Sequence, residues 1–151
     1  MTKVAIISDT HGLLREEVKE YLKKVDVIIH AGDINTQTIV EELRKVAPLF
    51  IVRGNNDKEW AKELPLTQEF KIEQVRFFLV HNKKDIPKDL SKIDVIIYGH
   101  SHKYDHRVEN GVQMLNPGSC GKRRFDLEIS MAMMTIHESE FQIEKIRLQH
   151  Q

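Results

Sequence analysis

Seven side chains able to ligate a divalent metal sit just after short apolar runs: Asp9, His11, Asp33, Asn55, His81, His100 and His102. They occur in compact phrases, Asp9-Thr10-His11, Gly32-Asp33, Gly54-Asn55-Asn56-Asp57, the lone His81 and Gly99-His100-Ser101-His102. Mixed oxygen and nitrogen ligation suits Mn²⁺, Fe²⁺, Co²⁺, Ni²⁺ or Zn²⁺ better than Mg²⁺ or Ca²⁺, which prefer oxygen alone. A carboxylate can bridge two cations, and Asp33 is the candidate because it is the isolated acid in the middle of the set. Two dications against two carboxylates leave about +2 of local charge, which suits a phosphate ligand. The expected cofactors are two divalent metal ions per chain, Mn²⁺ first among them. Such a pair supports hydrolysis of a phosphoester by an activated water.

For these phrases to meet, a sheet must deliver them to one edge. Residues 4–8 read as a buried strand, too short and too β-branched for a helix. Leu14, Val18, Leu22 and Val25 then recur at helical spacing. Residues 26–30 form the next strand, followed by a helical pattern through Ile39, Val40, Leu43, Val46 and Ala47 that Pro48 stops, and 49–52 form the third. Strand–helix–strand–helix–strand with short links implies right-handed crossovers and a parallel sheet. Asp33 follows His11 by 22 residues and Asn55 follows Asp33 by 22, so each phrase closes a strand, where open α/β sheets gather ligands.

The second half reads differently. Phe70 and Ile72 alternate with polar residues, 75–80 is a denser run ending at His81, and 94–98 is another short strand. Asn110-Gly111 predicts a hairpin turn, and 129–136 with 141–148 predicts a final hairpin turning near Glu138-Ser139. Residues 1–151 read as one α/β layered domain whose later strands are largely antiparallel.

Composition removes several functions. Lys+Arg and Asp+Glu both number 23, so the formal net charge is zero, which argues against grip on a long nucleic acid. The single Cys120 leaves no internal disulfide, and no stretch has signal-peptide or membrane-span length, so a cytoplasmic protein without membrane contact is expected.

Taken in order, Asp-x-His, Gly-Asp, Gly-Asn-x-Asp, a lone His and Gly-His-x-His resemble the calcineurin-like metallophosphoesterases. The Leu115-Asn116-Pro117-Gly118-Ser119 run resembles their small bacterial and archaeal phosphodiesterase branch, the YfcE type. The resemblance implies a four-layer αββα sandwich, two mixed β-sheets flanked by helices, with a di-metal centre on one rim. It would place Asp9, His11, Asp33 and His102 on one metal and Asp33, Asn55, His81 and His100 on the other. It implies a small phosphoester substrate, most simply a diester, and leaves a homodimer open. A phosphomonoesterase or nucleotidase is the neighbouring activity. The rival class is a non-catalytic interaction scaffold, since the retromer subunit shares this fold with an altered metal site. The intact ligand set favours an enzyme.

Two departures matter. Many relatives follow Gly-Asn with His-Glu, where this chain has Asn56 and Asp57. Asn56 cannot donate a proton at neutral pH, but its amide can hydrogen-bond a phosphoryl oxygen, as can His11; Asp57 is expected to orient Asn55. Asn82-Lys83 follows His81 where relatives often carry Gly-His. His30 reads as a buried supporting histidine, His106 with Asp105 as a solvated pair, and Met131, Met133 and Met134 as core. Cys120 reads as non-catalytic, and Lys122, Arg123 and Arg124 as a solvated turn near the site or a substrate contact. His137 and His150 are assigned nothing.

Overall fold

A computed structural model describes residues 1–124 and 126–149; His150 lies outside them. The strands are β1 (Thr2–Ile7), β2 (Val27–His30), β3 (Leu49–Ile51), β4 (Thr67–Ile72), β5 (Val75–Val80), β6 (Val95–Ile97), β7 (Asp105–Glu109), β8 (Val112–Asn116), β9 (Ser130–His137) and β10 (Glu140–Arg147). Two α-helices, α1 (Glu16–Leu22) and α2 (Gln37–Val46), supply the crossovers between β1, β2 and β3. α2 starts where the Thr36 side chain accepts from Ile39 N and stops at Ala47, which is extended as a residue before proline must be.

Two mixed five-stranded sheets result, ordered β10-β9-β1-β2-β3 and β4-β5-β6-β8-β7. In the first, β1, β2 and β3 are parallel, while β9 and β10 add antiparallel strands at one side. In the second, β5, β6 and β8 are mutually parallel, and only the edge strands β4 and β7 run against them. The later strands are therefore less antiparallel than their sequence suggests. After β6 the chain skips one place to lay down β7 at the edge. It then returns through Asn110 and Gly111, both at positive φ, to seat β8 beside β6.

Alternation on β1 explains why two layers can share it. Val4 and Ile6 face the second sheet and pack with Phe77, Leu79, Val95 and Ile97. Ala5 and Ile7 face the helices and pack with Val18, Leu22, Val40 and Leu43. Each large apolar side chain fully buried this way stabilises by roughly 1.5–3 kcal/mol. The outer face of the second sheet, including Phe78, Ile96 and Met114, is covered by Ile86, Leu90 and Ile93. That cover is a loop with one 3₁₀ turn, Lys83–Asp85, where the resemblance implies a helical layer. Pro87 explains it, since Ile86 before it is extended and no helix can continue. Met131 and Met134 are buried in the two cores, and Met133 is partly buried. Among the described residues, no helix is long and apolar enough to cross a membrane.

Candidate metal centre

Both sheets end their parallel strands at the same rim. The turns after β1, β2, β5 and β6 carry Asp9 and His11, Asp33, His81, and His100 with His102. These turns are stitched together by backbone bonds, among them Asp9 N–H to Gly32 O at 2.9 Å, His11 N–H to Asp33 O at 3.0 Å and Gly99 N–H to His81 O at 2.9 Å. Six of the expected ligands gather into two triads, Asp9–His11–His102 and Asp33–His81–His100, with ligand atoms within 4.8 Å of one another in each. Asp33 joins the two: its Oδ2 lies 3.2 Å from His81 Nε2 and 3.6 Å from His11 Nε2. Asn55 is exposed beside His81 on the wall of an adjoining cavity of about 370 Å³.

Several atoms in this cluster are unsatisfied without a cation. His11 Nε2 and His102 Nε2 meet at 3.2 Å, and both approach Asp9 Oδ1, at 3.7 and 3.5 Å. The His81 Nδ1–H donates to Ala31 O at 2.7 Å, which leaves its Nε2 lone pair aimed at the site. Asp9 Oδ1 and His81 Nε2 are buried without any hydrogen-bond partner. Leaving such groups unpaired costs about 1–3 kcal/mol each. Oxygen and nitrogen donors held this way fit divalent transition metals.

Electrostatics runs in the same direction. Burial raises the Asp33 carboxyl, but His81, the Asn56 N–H and the charge of His11 outweigh it and hold it well below the usual carboxylate range. Burial likewise lowers His81, yet the Asp33 and Asp9 carboxylates carry it above the ordinary histidine value. His102 is lowered, chiefly by burial, with His11 and Arg124 adding to it against the pull of Asp9.

The backbone itself is held out of its ordinary range. Asp9, His11, Asp33, His100 and His102 have φ of 55°, 47°, 61°, 77° and 65°. Left-handed non-glycine residues are uncommon and cost about 1–3 kcal/mol when strained, so five in one site mark a place where geometry is imposed from outside. Close approach does part of this work. A Cβ on Gly54 would overlap the Asp33 carboxylate, and one on Gly99 would overlap Ser8 Oγ and crowd Asp9 Oδ2.

Asn56 and Asp57 brace the site from below. The Asn56 backbone N–H donates to Asp33 Oδ1 at 2.9 Å and its side-chain amide to Oδ2 at 3.1 Å. The buried Asp57 carboxylate accepts from the N–H groups of Asp33, Ile34, Asn35 and Gly54 at 2.8–2.9 Å. Among the described residues no hydrogen bond joins it to Asn55, the residue that the sequence reading expected it to orient. Four N–H groups turned towards one carboxylate outcompete a solvated amide.

Three supporting residues escaped the sequence reading. Ser8 Oγ donates to Asp9 Oδ2 at 2.7 Å, and Ser119 Oγ donates to Asp9 O at 2.9 Å. Asn116 Nδ2 donates to Gly99 O and Ser101 Oγ, both at 3.1 Å, fixing the loop that carries His100 and His102. Ser8 and Asn116 each end an apolar run, and Asn116 and Ser119 fall in the run that carries the family resemblance, but neither signal says which groups they bond. His30 is fully buried; Gly32 N–H donates to its Nδ1 at 3.0 Å, so Nε2 carries the proton and donates to Thr10 Oγ1 at 3.0 Å. Burial holds its pKa down to about 3. Cys120 is buried against the helices with its thiol pushed up to about 12, which suits no nucleophile. Lys122, Arg123 and Arg124 are exposed, and His106 bonds Gln113 across the hairpin rather than Asp105. His137 is exposed.

This geometry agrees with what the chain is similar to. Residues 2–139 match the family model of the calcineurin-like phosphoesterase superfamily domain, and the chain belongs to that family. A probable metallophosphoesterase of Methanothermobacter thermautotrophicus is 33% identical, over 77% of this chain and 76% of the relative. Phosphodiesterase MJ0936 of Methanocaldococcus jannaschii is 29% identical over 78% and 84%. Among solved structures, wild-type Vps29 of Entamoeba histolytica, complexed with Zn²⁺, superposes with a TM-score of 0.76 at 21% identity, covering 96% of this chain and 98% of that one. At that identity it shows the fold alone.

Proposed function

We propose that this chain is a phosphodiesterase that hydrolyses a small phosphoester at a two-metal centre, with Mn²⁺ as the working ion. One observation carries the reading. Two triads of ligands, joined through Asp33 and holding buried atoms with no hydrogen-bond partner, sit on the rim of a phosphoesterase fold. Asp9, His11, His102 and Asp33 would hold one ion, and Asp33, Asn55, His81 and His100 the other. When bound, the ions lower the pKa of water and neutralise charge on the phosphoryl group.

The chain's own residues do the rest. Asp33 and Asp9 set the charge of the cluster, and Ser8 and Ser119 keep Asp9 oriented. His11 and Asn56 serve as the catalytic hydrogen-bond donors to phosphoryl oxygens. Asn56 spends one amide N–H on Asp33 and has a second for substrate. Asp57 is a positioning residue, holding the turn that presents Asp33. Asn56 and Lys83 offer no imidazole to protonate a leaving group. Esters with acidic leaving groups are therefore favoured, and the missing acid favours diesters over alkyl monoesters. The single thiol, Cys120, held buried and unpaired with any second cysteine of the sequence, agrees with a cytoplasmic setting.

Metal-stripped protein given Mn²⁺, Co²⁺, Ni²⁺, Zn²⁺ or Mg²⁺ should hydrolyse bis(p-nitrophenyl) phosphate faster than p-nitrophenyl phosphate. His102→Ala should lose that activity. Metal binding with no turnover of either ester would move the reading to an interaction scaffold. A preference for the monoester would move it to a phosphomonoesterase.

A further inference from the structure

Continuous with the metal centre through His100 lies a second cavity, about 460 Å³, in the size range of small-ligand sites. Lys83, Lys84, Lys103 and Arg107 line it against a single acid, Asp105. That acid is already engaged. Tyr98 donates to Asp105 Oδ2 at 3.0 Å, and Arg107 Nε lies 3.3 Å from the same oxygen. The Arg107 charge is further answered by Glu109 at 3.9 Å. Among the described residues, no carboxylate lies within 4.0 Å of the ammonium groups of Lys83, Lys84 or Lys103.

A solvated lysine is ordinary, so placement decides the matter. The three come from two loops, and each loop also carries a ligand candidate: His81 precedes Lys83, and His102 precedes Lys103. Asn82 Oδ1 accepts from Lys84 N at 3.0 Å, which closes the 3₁₀ turn Lys83–Asp85 and sets two lysines on one wall. In a chain of zero net charge, three unpaired cations around one concave volume focus a positive potential beside the reacting phosphate.

We propose that this cavity is a subsite for a second phosphate: the preferred substrate is a small phosphoester whose retained arm bears a further phosphate group. The inference rests on the phosphoesterase reading above for the position of the scissile phosphorus. The cation cluster itself stands independently of it.

Two esters with one leaving group test the subsite: thymidine 5′-(p-nitrophenyl phosphate) and the same compound phosphorylated at its 3′ oxygen. With Mn²⁺-loaded protein, the 3′-phosphate should raise kcat/KM on the order of tenfold through KM, the size that a few exposed charge pairs supply. The ratio should fall towards one in the Lys83→Ala/Lys84→Ala/Lys103→Ala variant, and near about 1 M salt, where the screening length is about 3 Å. Equal kcat/KM for the two esters, or a ratio that survives in the variant, would overturn the subsite. Calorimetric binding of thymidine 3′,5′-bisphosphate against thymidine 5′-monophosphate separates the two readings. If neither ester is turned over, the phosphoesterase reading fails. Tighter binding of the bisphosphate, lost in the lysine variant, would still establish the subsite, and equal binding would refute it.

Discussion

Replacing Asp57 by alanine removes one carboxylate and strands the backbone N–H groups of Asp33, Ile34, Asn35 and Gly54. Asn35 is exposed and can turn to water, which leaves three buried donors. Hydrogen bonds to a charged acceptor contribute about 1.5–3 kcal/mol each, and the lower end for three gives a loss of about 4.5 kcal/mol. Asp57→Asn should cost about half of that, roughly 2 kcal/mol, because one oxygen survives and its two bonds with it. Urea unfolding in the presence of chelator reads both losses without metal linkage. With a slope of about 2 kcal/mol per molar, the midpoint should fall by about 2 M for alanine and about 1 M for asparagine. Asn55→Ala, at an exposed position, should stay within about 0.5 kcal/mol of the wild type. A loss below about 1 kcal/mol for Asp57→Ala would refute the bracing role. A loss for Asn55→Ala matching that for Asp57→Ala would restore Asn55 as the partner.

Acid should weaken the metal-free protein through His30. Its folded pKa of about 3 lies below the ordinary value of 6.5, so the unfolded chain takes up a proton that the folded one refuses. This contribution is whole above pH 6.5, fades as pH falls and is gone below about 3; by pH 5 the loss amounts to about 2 kcal/mol. Urea midpoints at pH 7.5 and pH 5 should therefore converge in His30→Gln relative to the wild type, and a parallel shift in both proteins would count against it. Asp33→Ala should release both metals together in elemental analysis, and retention of one full equivalent would sink the bridging assignment. Cys120, buried with its thiol at about 12, should resist iodoacetamide at pH 8 in native protein and react once urea unfolds it; rapid native labelling would contradict its burial.

The candidate ligands were legible because apolar runs mark strand ends whatever the strands do next. Asp9, Asp33 and His81 could each be placed at a sheet edge from the residues before them. Periodicity also located α2, whose stop at Pro48 is a backbone rule. Strand direction in the second half was not legible. Seating β8 between β6 and β7 depends on which neighbour buries Leu115 and Met114, and no local pattern records that. Asp57 was misread for a related reason. Three of its four partners are main-chain groups of a loop more than twenty residues earlier, and backbone N–H groups have no sequence signature. The left-handed torsions at the ligands were equally silent, since Asp and His advertise chemistry and not φ.

Those torsions give the site a direction of decay. His100, exposed and at φ 77°, would relax by about 1 kcal/mol on exchange for glycine, at the loss of its edge contact with the His81 ring. At the buried Asp9 and Asp33 the same exchange would also strand the groups that bond them, Ser8 Oγ and the Asn56 N–H among them. Drift in a lineage released from catalysis would therefore begin at the exposed His100, where relief of the torsion meets least resistance, and would leave the two sheets intact behind an inert rim.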